Sequence, residues 1–235
     1  MGDKDTEITV DSISENMTVE KVPDDKDTGI IVDSISLTLG GNHILKDVSL
    51  KVEKGAIVGL QGRNGSGKTM LMKCICGFVR PQKGRIFVSG QEIFKDTDFP
   101  RETGIIIETP GFIPYYSGYR NLKILAGISD RVSREKIEET MRTVGLDPSL
   151  KRHIKTYSLG MRQRLGIAQA IMEDPSVLIL DEPFNGLDED GVTAMRDVLL
   201  GMRDKGTSIL IASHNADDLK ILCSEVRHMH GGVLD

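Results

Sequence analysis

Residues 62–69 read GRNGSGKT, a G-x4-G-K-[ST] spacing set between a short apolar run at 56–60 and a helix-like stretch at 69–78. Glycines at Gly62, Gly65 and Gly67 let the backbone curl until successive N–H groups face one anion. The helix that follows adds its positive end. Lys68 brings a point charge suited to β- and γ-phosphates, and Thr69 a hydroxyl suited to Mg2+. Arg63, Asn64 and Ser66 fill the loop, and Met70 continues it into the helix, so residues 62–70 form the candidate nucleotide-contact set. Alone, such a loop says only that a nucleotide binds. A second group lies at 176–183, SVLILDEP, where an apolar run ends in Asp181 and Glu182. Asp181 suits a Mg2+ held through its water shell. Glu182, one residue on, suits a general base for the attacking water. Two carboxylates at a strand end are common by themselves; after a phosphate loop they point to triphosphate hydrolysis.

Three further groups follow in order: YSLGM at 157–161 running into RQRL at 162–165, NGLD at 185–188, and Ser213-His214 directly after an apolar run. With the loop and the carboxylate strand, these resemble the ABC ATPases and cover residues 30–235. Ser158 and Gly160 match the family signature, usually LSGGQ, while Tyr157, Leu159 and Met161 depart from it. The resemblance implies that Asp188 belongs to the loop after the carboxylates and that His214 contacts the γ-phosphate. It implies two copies, as a homodimer or heterodimer, facing head to tail. ATP would then lie between the phosphate loop of one and Ser158 and Gly160 of the other, where a helix N-terminus completes the anion site. It further implies a separate transmembrane permease and a place on the cytoplasmic face of the membrane.

Where the family carries glutamine after the run 104–107, this chain has Glu108, in ETPGF. Glu108 and the signature variant resemble the bacitracin-resistance and lantibiotic-immunity branch, which implies outward movement of a peptide antibiotic or similar amphiphile. Two roles for Glu108 stay open: a ligand to Mg2+, with Thr69 and Asp181, or a residue that reports to the permease. Leu39 stands where the family often has an aromatic against adenine, and supplies apolar contact without a π face. The competing reading is a soluble ABC ATPase with a non-transport role; one ATPase unit and no coiled-coil insertion argue against it.

These residues need a scaffold. Residues 30–39 and 43–52 alternate like paired strands about Gly40-Gly41-Asn42. Short apolar runs at 56–60, 104–107, 177–180 and 208–212 read as buried strands, separated by helical stretches near 119–126, 134–144, from about 159 and from about 191. Ser133 is a candidate N-cap. Strand–helix alternation predicts an α/β fold: a P-loop NTPase core with a mainly parallel sheet, an N-terminal antiparallel β subdomain and an inserted helical subdomain. The expected boundaries are an acidic tail over 1–28 and a nucleotide-binding domain over 29–235, with the helical subdomain at 109–158.

The chain has 235 residues, 39% hydrophobic and 28% charged, with net charge −5. Residues 1–28 carry nine acids and three bases, a net −6, which leaves the rest at +1. A near-neutral body gives no basic face for nucleic acid. No run approaches the roughly 20 apolar residues of a membrane helix, and the N-terminus lacks an apolar signal segment. Residues 6–14, TEITVDSIS, match 28–36, TGIIVDSIS, at seven of nine positions; the copy is either a chance duplication or a competitor for the same sheet edge. Cys74, Cys76 and Cys223 read as small apolar residues, and His228 and His230 as surface residues. The aromatic stretch 112–119, FIPYYSGY, reads both as subdomain packing and as a docking cleft for the permease.

Overall fold

A computed structural model describes residues 28–235. The expected tail and the 6–14 copy lie outside the described residues, except that Thr28, placed in the tail from sequence, opens the first strand and is buried. Strand β1, Thr28–Leu39, pairs antiparallel with β2, Asn42–Glu53. In β1 the buried positions are Ile30, Val32, Ile35 and Leu37. The gap of three between Val32 and Ile35 breaks strict alternation, and a register shift there, with Ser34 at φ 52°, turns Ile35 and Leu37 back inward. In β2 the same gap separates Leu45 from Val48, with Asp47 at φ 52°. A bulge is the backbone's way to absorb one extra residue while keeping the apolar face inward. β4, Lys83–Val88, and β5, Gln91–Glu92, complete this antiparallel sheet in the order β2-β1-β4-β5.

The second sheet contains β3 (Ile57–Gln61), β6 (Thr103–Ile106), β7 (Val177–Asp181), β8 (Ser208–Ser213), β9 (Glu225–His230) and β10 (Val233–Leu234). Their order is β10-β9-β3-β8-β7-β6, parallel throughout except for the last hairpin. Its central strands are apolar on both faces because both are covered. Leu178, Leu180, Ile209 and Ile211 face one core, which includes buried side chains from the helices α2 (Gly118–Ser129), α3 (Arg134–Thr143), α4 (Leu159–Ile171) and α5 (Glu189–Asp204). Val177, Ile179, Leu210 and Ala212 face the other, shared with α1 (Lys68–Ile75) and the antiparallel sheet.

α2 and α3 share the first core, so the helical segment is continuous with the sheet rather than separately cored. Ser133 caps α3 as expected, accepting from the Lys136 N–H. Two elements have no counterpart in the sequence reading: α6, Ala216–Leu222, and β10. Seven and two residues are too short to display a period. Cys74 and Cys76 are fully buried in the second core, and burial pushes both thiols up to about 12. Among the described residues no helix is long and apolar enough to cross a membrane.

Candidate functional site

Parallel strands end at the same edge, and register decides which loops meet there. Gln61 pairs with Ser213, and Asp181 with Ala212, so β8 lies between β3 and β7 with all three ends level. The phosphate loop after β3, Glu182 after β7 and His214 after β8 therefore gather at the C-terminal edge, where open α/β sheets bind ligands.

The loop is tightly built. Gly67, the N-cap of α1, has φ 115°, a conformation closed to most side-chain-bearing residues, and a Cβ there would lie 2.9 Å from the Met229 methyl. The Lys68 ammonium turns back over the loop, donating to the carbonyls of Gly62 at 2.6 Å and Arg63 at 3.3 Å. The Ser66 hydroxyl is buried without a hydrogen-bond partner. An orphaned hydroxyl inside an anion cradle fits a group that accepts from it, such as a phosphate oxygen.

One residue into α1, Thr69 Oγ1 donates to Asp181 Oδ2 at 2.6 Å. Hydroxyl and carboxylate oxygen are hard donors of the kind Mg2+ takes. Among the described residues no cluster of three or more His, Cys, Asp or Glu could cage a metal, which suits an ion that draws most of its ligands from phosphate and water. Glu108 is placed differently: it ends β6's exit with φ 60°, and its carboxylate takes the Lys73 ammonium at 2.6 Å. Lys73 follows Thr69 by four residues, one helical turn, and escaped the sequence reading because nothing local ties it to residue 108.

Glu182 also has a left-handed backbone, φ 49°. Its N–H donates to the Ala212 carbonyl at 2.9 Å, and its Oε2 lies 2.8 Å from His214 Nδ1. Residues 32 apart thus form one carboxylate–imidazole pair. The amide of Gln163, on α4, donates to the Glu182 carbonyl at 3.3 Å; it too was missed, being an unremarked polar position in a helix.

The signature region sits apart. Ser158 caps α4, its hydroxyl accepting from the Met161 N–H at 3.2 Å. Gly160 meets the loop after β7 so closely that a Cβ would lie 2.7 Å from the Gly186 carbonyl oxygen. Leu159 covers Gly186 yet stays 56% exposed. Asp188 caps α5 through the Gly191 N–H and faces Arg164 at 3.5 Å. None of these reaches Lys68, Asp181 or Glu182 by a described hydrogen bond. In the aromatic stretch, Phe112 and Tyr119 pack on the core beside buried Tyr157, while Tyr115 is 64% exposed under the Lys155 ammonium. His228 and His230 are exposed.

Comparison with known proteins follows this geometry. The ABC transporter family pattern matches residues 45–185, more than half the chain. The uncharacterized ABC transporter ATP-binding protein YybJ of Bacillus subtilis is 42% identical over 82% of this chain and 88% of its own length. The bacitracin transport ATP-binding protein BcrA of Enterococcus faecalis is 40% identical over 83% of this chain; the match spans 64% of BcrA, just under two thirds. The lantibiotic transport ATP-binding protein SrtF of Streptococcus pyogenes is 38% identical over 81% of this chain and 79% of its own. A solved ATP-binding subunit of an ABC transporter superposes with a TM-score of 0.80 at 27% identity, covering 88% of each chain. Motif order, strand register and these likenesses agree: the chain belongs to the ABC transporter family, as an ATP-binding, ATP-hydrolysing subunit.

Proposed function

We propose that this subunit powers a separate membrane permease that exports a peptide antibiotic or a similar amphiphile. The observation that carries the hydrolytic part is the convergence of Thr69 on Asp181 at 2.6 Å and of His214 on Glu182 at 2.8 Å at one sheet edge. Residues 62–70 hold the triphosphate, with the Lys68 ammonium leaving the Gly62 carbonyl for the phosphates. Thr69 and Asp181 hold Mg2+ on their oxygens. Bound there, the ion neutralises charge on the β- and γ-phosphates as the bond breaks. Glu182 accepts the proton of the attacking water, and His214 orients that carboxylate and reaches the γ-phosphate. Leu39 lies against the base.

Ser158, Gly160 and Asp188 serve the site of a second copy. Their exposed placement, away from this chain's own carboxylates, supports that reading. The partner cassette is either identical or a homologue. Exposed Tyr115, with Ile113 beside it, supports a contact with the permease, and the subunit would then sit on the cytoplasmic face of the membrane. The bacitracin and lantibiotic transport relatives support the cargo class. Glu108, bound to Lys73, reports between α1 and the segment 110–116. Residues 29–235 make up the nucleotide-binding domain, with 109–158 as its helical part.

The test is Glu182→Gln. The amide keeps the shape but cannot take the water's proton, and loss of a general base costs about 10²–10⁴-fold in rate. ATP binding should persist, and a dimer should accumulate with ATP in size-exclusion chromatography. Near-normal turnover removes Glu182 from this role. For transport, cells carrying the subunit and its permease should resist a cationic peptide antibiotic, and lose that resistance with Glu182→Gln.

A further inference from the structure

Gln163 lies five residues beyond Ser158 on α4 and is only 9% exposed. A buried side-chain amide needs partners, and its Nε2 finds the main-chain carbonyl of Glu182 at 3.3 Å. That carbonyl belongs to a residue in an uncommon state. Glu182 has φ 49°, the left-handed region that side chains with a Cβ seldom occupy. Such backbones persist where the surroundings over-determine them. Here the N–H is tied to the Ala212 carbonyl at 2.9 Å, the carbonyl also accepts from the Asn185 N–H at 3.3 Å, and the carboxylate meets His214. Of these ties, only the Gln163 amide comes from α4, the helix capped by Ser158.

We propose that Gln163 is a positioning residue for Glu182: its amide holds the left-handed backbone that aims the carboxylate. The inference rests on Glu182 being the general base. The peptide plane after Glu182 is the lever, since rotating its carbonyl turns ψ of that residue and swings the carbonyl away from Gln163. A side chain misplaced by about 1 Å can cost up to about 10²-fold in rate without any loss of binding. Through this bond, α4 connects its outward-facing N-terminal turn to the catalytic carboxylate of the same chain. A shift of α4 on closing against a second copy would thereby be felt at Glu182.

The experiment uses the full chain with Gln163→Met, which keeps the volume and removes the donor, and Gln163→Glu, which keeps the length and turns the donor into an acceptor facing a carbonyl. Steady-state ATPase, equilibrium binding of a fluorescent ATP analogue and thermal melting are measured for each. The expected result is a kcat lower by about tenfold, with KM and analogue affinity within about twofold of wild type. In a Glu182→Gln background, adding Gln163→Met should slow the residual rate no further, because there is no base left to aim. Should Gln163→Met fail to fold, Gln163→Glu carries the same comparison. The proposal is overturned by kcat within about twofold of wild type, by a full additive loss in the double variant, or by a kcat loss that only tracks melting temperature and analogue affinity. Its failure is separable from that of the parent reading: unimpaired turnover of Glu182→Gln sinks the general-base role, whereas an impaired Glu182→Gln with an unaffected Gln163 pair sinks this inference alone.

Discussion

At the C-terminal edge of the parallel sheet, Lys68, Thr69, Asp181 and Glu182 all find partners within the chain. At the start of α4, Ser158 caps only its own helix and Leu159 stands largely in solvent. The first region is built by neighbouring strands whose ends are forced level by hydrogen-bond register. The second is a helix N-terminus presented outward. A region finished inside one chain should fail alone when altered. A region that faces outward should fail only in an act that needs a second body.

The sharpest test of that contrast is Asp181→Asn. Removing the charge that accepts from Thr69 should lower ATP hydrolysis by about 10²-fold or more, since Mg2+ loses its anchoring carboxylate, and should abolish Mg2+-stimulated nucleotide binding by the isolated monomer. Retained Mg2+-dependent binding, read by fluorescence, would break the claim that this half is complete. Ser158→Arg should produce the opposite pattern. Hydrolysis should fall by about the same order through loss of the outward anion site, while monomer ATP binding stays as in wild type; a monomer that binds ATP poorly would place Ser158 in its own site instead.

Next comes the scaffold. Gly29 lies so close to β8 that a Cβ would meet Ser208 Oγ at 2.2 Å. Residue 7, in the matching stretch 6–14, is Glu where β1 has Gly29. Gly29→Glu should lower stability by about 2–4 kcal/mol, through overpacking and a buried charge, measured by urea unfolding. An unchanged midpoint would show that β1 accepts the side chain and that Glu7 is no barrier to the copy taking its place.

Lys73→Met should act more gently. It frees the Glu108 carboxylate, whose ion pair is partly exposed and of modest worth. ATP affinity should stay within about twofold and the Mg2+ requirement should shift by a few-fold at most. A change in antibiotic resistance with unchanged basal hydrolysis would assign Glu108 to coupling; a large change in Mg2+ dependence would assign it to the metal. The smallest effect concerns the cysteines. With thiols held neutral by burial, pushed up to about 12, Cys74 and Cys76 should resist iodoacetamide at pH 8 in the folded protein and react only on denaturation. Mass spectrometry showing rapid native labelling would mean that α1 is not packed as described.

The site motifs were legible because each is a short string whose spacing is its geometry. A glycine-rich loop between strand and helix fixes where its backbone and lysine go, so Gly62 through Thr69 could be read without a fold. An apolar run ending in Asp181 and Glu182 is a strand end carrying carboxylates. The bulges in β1 and β2 are visible too, as a gap of three between inward residues. His214 could be assigned to the γ-phosphate only by resemblance, and the aromatic stretch could not be divided between core and surface until Phe112 and Tyr115 had separate environments.

What the sequence by itself determined is therefore local: the phosphate loop, the carboxylate strand, the helix caps and the α/β alternation. The tertiary structure alone decided who meets whom. His214 meets Glu182 because β8 lies between β3 and β7, Glu108 meets Lys73 because the exit of β6 reaches α1, and Gln163 meets Glu182 because α4 packs across the end of β7. Those encounters depend on strand order and helix placement, and hydrophobic periodicity records which face of an element is buried but not which neighbour buries it.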